Sequence, residues 1–375
     1  MMNLSNKITK EHSIFLEYVE DTALDQFVDA MNQPFVTRGA LMPDAHTGYT
    51  LPIGAVVETD GVVVPAYVGY DIGCGVCAIR TTFRLEDVLG RAEDIYDAVR
   101  SVVPMGFSKH KKPILGRSWS IPDHKVMSSI WKDKAGDLQL GTLGGGNHFI
   151  EIGYDSGDNI WIIIHSGSRG IGHACASHYM ALASPTGKRK EGHHGFDAGS
   201  PEGKEYIKAL NICELFALEN RKAMLKLVVK AMKSIGLHGD MMGNTLINRN
   251  HNHAETKNGR YWIHRKGATH AEAGMLGVIP GNMRDGSFIV KGLGNPKSLC
   301  SSSHGAGRIL SRGRAKLLLT VAKFTSEMKG IQCDATAGNL DESPMAYKDI
   351  FKVMDLQKDL TEIVDHVAPV VNIKG

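Results

Sequence analysis

The stretch LMPDAHTGYTLPIGAVVETDGVVVPAYVGYDIGCGV, residues 41–76, decides the fold class. Short β-branched runs such as Val56-Val57 and Val62–Val64 alternate in it with loops marked by Gly and Pro. Such punctuation predicts strands joined by tight turns. Outward from it, residues 13–31 and 86–103 read as helices, and the segment from Pro104 to about Lys134 reads as basic and irregular, with Lys109-His110-Lys111-Lys112 inside it. Strands are expected at His148–Ile152 and at Trp161–His165, where a continuous apolar run implies burial on both faces. Ser200 before Pro201 starts a long or kinked helix, and Ile207, Leu210, Met224, Val228 and Met232 carry its period toward Gly236. Tyr261–His264 and Ser287–Val290 read as strands. A helix is expected to begin near His304 and run through Leu317–Leu319, and His366–Lys374 is expected to be extended. With no internal repeat, the expectation is an α+β fold: one compact domain over residues 1–375, a mixed, loop-rich β core surrounded by helices.

Composition narrows the function classes. The 375 residues hold 43 Lys plus Arg against 40 Asp plus Glu, a net charge of +3, with 42% hydrophobic residues. This excludes a disordered chain and gives no bulk field for a polyanion, so a nucleic acid would have to meet a local patch. The 42 Gly imply many tight turns or close backbone approaches to a ligand, and 17 His is a high count. Six scattered Cys suggest reduced thiols rather than a disulfide framework. The opening MMNLSNKITKEHSIFLEY lacks the apolar core of a signal peptide, and no run approaches 18 apolar residues, so a cytoplasmic location without a membrane span is expected.

The densest constellation is a set of metal-ligand types on Gly-rich loops: Asp71 and Cys74 in YDIGCGV, His148 in GGGNHF, His165 in IIIHSGSRG and His251 in RNHNHAE. One carboxylate, one thiolate and three imidazoles can hold two divalent cations, and a thiolate can bridge them. Hard oxygen, borderline nitrogen and soft sulfur together point to Mn, Zn, Fe or Co rather than Mg or Ca. Cys77 reads as a small buried hydrophobe. Three loops, GTLGGGN (141–147), HSGSRG (165–170) and SSSHGAGR (301–308), offer backbone N–H groups to anionic oxygens, with Arg169 and Arg308 as charged donors. His304, between the Ser run and GAG, can attack a phosphorus centre and carry a phosphoryl or nucleotidyl group. Neither a GxSxG elbow nor a GxxxxGK[ST] loop is present.

These residues resemble the RtcB family of RNA ligases. The resemblance is ordered and nearly full length, from MPDAHTGYTLPIGAVV (42–57) through VGYDIGCGV, GTLGGGNHFIE, IIHSGSRGIG, HRKGATHAEAGMLGVIPGNM and SSSHGAGR to VVNIKG. It implies the RtcB-like fold, two Mn(II) ions and a GTP-dependent reaction. Carried over, Asp71, Cys74, His148, His165 and His251 would be the metal ligands, with Cys74 bridging, and His304 the guanylylated nucleophile. The guanosine site would comprise Asn147, His148, Phe149, Ile150, Glu151, His251, Asn252, Pro280, Gly281, Asn282, Met283, Ser287, His304, Gly305, Ala306, Gly307 and Lys374, with Tyr347 as an aromatic platform beside the base. Chemically, Glu151 suits the N1/N2 donor edge of guanine and Lys374 its O6 acceptor, which favours GTP over ATP. Two positions depart from the common pattern: Asn282 stands where Ser is expected, and in NRNHNHAE either His251 or His253 can be the ligand, His251 fitting the His-Asn pattern better.

The implied reaction joins RNA 3′-phosphate or 2′,3′-cyclic phosphate ends to 5′-hydroxyl ends through His304–GMP and an RNA 3′-end activated with GMP, in RNA repair or tRNA splicing. The implied partners are GTP and a cleaved tRNA or another RNA with such ends, with an activating protein as a further candidate. Phosphate contacts are expected from Lys109, Lys111, Lys112, Lys188, Arg189, Lys190, Arg312 and Arg314. The alternatives are a metal-dependent RNA phosphoesterase or cyclic phosphodiesterase, which needs neither guanine contacts nor His304, and a non-catalytic RNA-binding protein.

Overall fold

A computed structural model describes residues 7–114, 123–187 and 192–375 of the chain. The expected contacts Lys188, Arg189 and Lys190 lie outside the described residues. The architecture is α+β, built on two large sheets. A seven-stranded antiparallel sheet runs in the order Leu276–Pro280, Ser287–Gly292, Thr361–Lys374, Phe149–Tyr154, Ile160–Ser166, Gly75–Arg80, Ile247–Asn250. A five-stranded sheet runs Glu11–Ile14, Val36–His46, Ile53–Asp60, Tyr261–Lys266, Asn252–Lys257, its first pair parallel and the rest antiparallel.

The strand Ile160–Ser166 is buried on both faces, as its apolar run predicts. Ile160, Ile162 and Ile164 pack with Met224, Leu225 and Val228 of the long helix, while Trp161 and Ile163 pack with Val76, Ala78 and Phe149 on the opposite face. Period-two alternation thus divides one strand between two hydrophobic clusters. The helix Pro201–Ser234 is continuous for 34 residues, with Ser200 Oγ accepting from the Gly203 N–H at 3.0 Å. Gly236 follows it at φ +88, a left-handed conformation suited to glycine. This helix packs on the helices Ala92–Val102 and Arg169–Ala183 and on the strands Gly75–Arg80 and Ile160–Ser166. Among the described residues no helix is long and apolar enough to cross a membrane.

Three expectations are corrected. Residues 13–31 are not one helix: Glu11–Ile14 pairs in parallel with Arg38–Leu41, and the helix spans only Asp21–Met31. The sheet edge captures a segment whose local pattern alone is helical. Within the segment read as irregular, Lys125–Lys134 is a helix whose N-cap is His124, its Nδ1 accepting from the Met127 N–H at 3.3 Å. Imidazole is outside the usual set of capping residues, so the sequence carries no start signal there. Finally, His304 does not begin a helix. It follows the short strand Ser301–Ser303, and the next helix, Arg312–Leu318, starts eight residues on, capped by Ser311.

Candidate metal and nucleotide site

The ends of the central strands bring the predicted ligands together. Cys74 immediately precedes the strand Gly75–Arg80, His165 lies in the adjacent strand, His148 precedes Phe149–Tyr154, and His251 joins Ile247–Asn250 to Asn252–Lys257. Residues 177 positions apart in sequence therefore meet at one point. Cys74 Sγ is 3.5 Å from His148 Nε2 and 3.2 Å from His165 Nε2. His165 Nε2 is 3.3 Å from His251 Nε2, and His148 Nε2 is 3.0 Å from Asp71 Oδ2. Cys74 and the three imidazoles are buried.

The donor chemistry fits cations. His148 Nδ1 donates to Leu143 O at 2.9 Å and His165 Nδ1 to Asn147 O at 3.1 Å. Carbonyls only accept, so both protons sit on Nδ1 and both Nε2 lone pairs face the centre. Burial, reinforced by neighbouring imidazoles, holds His165 and His251 well below the ordinary histidine pKa, in the neutral form that ligates. Lone pairs of nitrogen, carboxylate oxygen and sulfur directed at one another within 3.0–3.5 Å call for positive charge between them. His253 is excluded from this centre: its Nε2 accepts from Arg265 Nη1 at 3.1 Å, and its ring stacks on His270. Of the two candidates, His251 is the one whose ring the structure brings to the centre, 3.3 Å from His165 Nε2.

Two adjacent residues of the long helix hold the loops that carry the candidate ligands, and sequence reasoning missed both. Arg221, fully buried, donates through Nη1 to Gly73 O at 2.9 Å and Ser166 O at 2.8 Å, through Nη2 to Asn250 Oδ1 at 2.6 Å, and through Nε to Asn248 Oδ1 at 2.7 Å. Each contact lies one or a few residues from Cys74, His165 or His251. Asn220 accepts from the Gly141 N–H at 2.7 Å and the Thr142 N–H at 3.2 Å, and donates to Thr142 O and Gly167 O. It thereby ties GTLGGGN to HSGSRG. The available signal was position: Asn220 and Arg221 fall on the face that also carries Phe216, Ala217 and Met224. A charged residue at a core-facing helix position is rarely buried without a network of partners.

Beside this centre lies a cavity of about 360 Å³, a size suited to a small ligand. Asn147, Phe149, Glu151, His165, Pro280, Gly281, Asn282, Met283, His304, Gly305, Ala306, Gly307, Tyr347 and Lys374 all line it. His148, Ile150, His251, Asn252 and Ser287 are not among the residues that line it. Strand alternation aims Phe149 and Glu151 at the cavity and Ile150 into the core with Ile152 and Ile164, so contact from Ile150 is left to its backbone. Ser287 Oγ donates to Glu151 Oε1 at 2.8 Å, and Asn372 Nδ2 to Oε2 at 3.3 Å. Burial outweighs these bonds and the Lys374 charge, pushing Glu151 up to about 7. Asn252 Nδ2 donates to Asp71 O at 3.2 Å, and its Oδ1 accepts from the Gly267 N–H at 2.8 Å. Gly267 is required there: at φ +61, a Cβ would lie 2.2 Å from Ile53 Cγ2 and 3.1 Å from His304 Cε1.

His304 is oriented by a carboxylate instead of a helix terminus. Asp44, fully buried in the opening stretch, places Oδ2 2.6 Å from His304 Nδ1, and the same oxygen accepts from the His304 N–H at 3.0 Å and the Gly305 N–H at 3.3 Å. Burial alone would raise this carboxyl, but its electrostatic interaction and hydrogen bond with His304 hold it below the usual range. Gly307, at φ +75, passes so close under Asp44 that a Cβ would sit 2.2 Å from its carbonyl oxygen. With Nδ1–H donated to Asp44, the lone pair of His304 is on Nε2. The His304 ring packs edge-on to that of His251, with centroids 4.7 Å apart, which joins the cavity to the ligand cluster.

The far wall is organised by Glu342, which sequence reasoning also missed and which no local pattern marks. Its buried carboxylate accepts from Lys374 Nζ at 2.9 Å, Tyr347 OH at 2.6 Å, Arg312 Nη1 at 2.5 Å and Arg308 Nη1 at 3.4 Å. Arg308 also lies over the Tyr347 ring, 4.9 Å from its centroid. Arg169, read as a phosphate donor, instead contacts Thr142 Oγ1 and Gly106 O on the Asp71 side.

Known proteins similar to this chain point to one family. A sequence model of the family described as tRNA-splicing ligase RtcB matches residues 26–121 and 118–375. The RNA-splicing ligase RtcB of Escherichia coli (strain K12) is 38% identical, covering 95% of this chain and 95% of its own length. The tRNA-splicing ligase RtcB of Aeropyrum pernix is 31% identical over 89% of this chain and 87% of its own, and that of Nanoarchaeum equitans 30% identical over 100% and 96%.

Proposed function

The chain belongs to the RtcB family, and from that premise we propose that it is a GTP- and manganese-dependent RNA ligase. It joins RNA 3′-phosphate or 2′,3′-cyclic phosphate ends to 5′-hydroxyl ends in RNA repair or tRNA splicing. The observation that carries the reading is that His304, oriented by Asp44, lines one cavity with His165 of the ligand cluster and with Glu151 and Lys374. In this reading the nucleophile, one of the five cation ligands and the base-recognition groups border the same cavity.

Asp71, Cys74, His148, His165 and His251 would hold two divalent cations in this reading, Cys74 Sγ lying within 3.5 Å of both His148 Nε2 and His165 Nε2. When bound, Mn(II) would polarise the α-phosphate of GTP and offset the charge that develops on its oxygens. Asp44 keeps the proton of His304 on Nδ1, so Nε2 attacks the α-phosphorus, a P–N bond forms and pyrophosphate leaves. An oxygen of the RNA 3′-phosphate then displaces Nε2 from phosphorus and takes the GMP. The RNA 5′-hydroxyl attacks the activated 3′-phosphorus, losing its proton, and GMP departs. A 2′,3′-cyclic phosphate is first opened by water. Glu151 accepts from the N1/N2 edge of guanine, Lys374 donates to O6, and Tyr347 flanks the base.

The test is incubation with α-labelled GTP and manganese, followed by denaturing electrophoresis and joining assays on RNA of defined ends. Label that resists alkali, is lost in acid and is absent from His304→Ala supports the assignment. Label surviving in His304→Ala overturns the nucleophile. End hydrolysis without joining favours the phosphoesterase.

A further inference from the structure

Phe107 is the most exposed large apolar side chain among the described residues, at 104% of its reference area. Its loop is nevertheless anchored. The Leu143 N–H donates to Pro104 O at 2.9 Å, the Gly106 N–H to Gly144 O at 2.8 Å, the His110 N–H to Leu138 O at 3.0 Å, and His110 Nε2 to Gly141 O at 3.1 Å. Arg169, whose charge acts on Asp71 and Cys74, reaches the same loop through Gly106 O at 3.1 Å. The segment that supports Phe107 is therefore hydrogen-bonded to the GTLGGGN loop, which leads directly into Asn147 and His148.

Exposed Lys109, Lys111 and Lys112 follow Phe107, and the segment Met105–Ile114 contains no acidic residue. The three lysines form no ion pair among the described residues, and Lys109 Nζ donates to Lys134 O at 2.8 Å. A bare aromatic ring on a braced turn, beside these cations, matches the two needs of a single-stranded nucleic acid: a face for a base and positive charge for its backbone. A folded protein partner would instead call for a wider apolar patch.

We infer that Phe107 is a base-stacking platform for the RNA end being joined, with Lys109, Lys111 and Lys112 following its phosphates. The inference rests on the RNA-ligase reading and goes beyond it by assigning one RNA subsite outside the guanosine cavity.

The experiment measures binding of a fluorescent single-stranded RNA bearing a 3′-phosphate to the full chain by anisotropy, across a salt series. Wild type, Phe107→Ala, Phe107→Trp and a Lys109/Lys111/Lys112→Ala triple variant are compared, with His304 guanylylation measured on each. Phe107→Ala is expected to weaken binding about ten-fold and leave guanylylation unchanged, since stacking tolerates any base but requires a ring. Phe107→Trp is expected to retain affinity and to show fluorescence quenching on RNA addition. The triple variant is expected to flatten the salt dependence by up to about 2 in log–log slope. An abasic site at one position near the 3′ end should lower wild-type affinity and leave Phe107→Ala unaffected. Equal affinities of wild type and Phe107→Ala, or abasic penalties identical in both, overturn the platform while leaving the ligase reading intact. Absence of any RNA binding by wild type overturns both.

Discussion

Nδ1 of His304 and Oδ2 of Asp44 lie 2.6 Å apart, with Asp44 fully buried. An ionised carboxylate there accepts the Nδ1 proton and fixes the tautomer. Because the same oxygen also accepts from the His304 and Gly305 N–H groups, Asn would keep its amide oxygen there. Asp44→Ala instead removes the acceptor and lets the ring proton move to Nε2, removing the nucleophilic lone pair. Guanylylation should fall at least about a hundred-fold, while bound metal, measured by elemental mass spectrometry, stays the same. Unaltered guanylylation would show that Asp44 does not set the tautomer.

Arg221 makes four hydrogen bonds that span the loops of Cys74, His165 and His251. Lysine keeps the charge and loses the fork, so it cannot reach three loops together. Arg221→Lys should bind manganese about 10- to 100-fold more weakly, read by competition with a chelator, with far-UV circular dichroism showing a retained fold. Unchanged manganese affinity in a folded variant would remove Arg221 from the organisation of the centre.

Glu342 collects Lys374, Tyr347, Arg308 and Arg312 on one buried carboxylate. Glu342→Gln keeps the shape and weakens charge-assisted bonds to the groups proposed to meet guanine. The KM for GTP should rise about ten-fold, with a smaller effect on kcat. An effect confined to kcat would place Glu342 outside nucleotide binding.

Glu151 is held at about 7 by burial, against an ordinary value of 4.5. The carboxylate form is the one that accepts from guanine, so GTP affinity by calorimetry should rise from pH 6 to pH 8, and Glu151→Gln should flatten the rise. By linkage, the folded state retains a proton that the unfolded chain releases above about pH 4.5, so this group's contribution to stability is lost as pH rises through about 7. An affinity independent of pH over this range removes Glu151 as the guanine acceptor.

The residues that cluster at the centre, Cys74, His148, His165 and His251 with Asp71, and His304 beside them, were legible as candidates because each stands in a short Gly-flanked motif whose residue types have few other uses in combination. The long helix and the central strand were legible for a similar reason: Ser200-Pro201 and the Ile162–Ile164 run are local signals. The helix capped by His124 was not, because its start depends on an unusual imidazole cap. Nor was the strand Glu11–Ile14, because a partner some 27 residues away decides between ladder and helix.

By itself, then, the sequence determined which chemistries the chain can assemble: thiolate, carboxylate and imidazole donors, a candidate nucleophile, and the basic run Lys109–Lys112. Only the tertiary structure decided that His251 and not His253 enters the cluster, that Asp44 and not a helix terminus orients His304, and that Asn220, Arg221 and Glu342 hold the parts in place. The physical reason is range. Residue type and local periodicity are written within a few positions of each other, whereas a hydrogen bond from Arg221 to Gly73 or from Lys374 to Glu342 exists only once the fold has closed over buried polar groups that must find partners there.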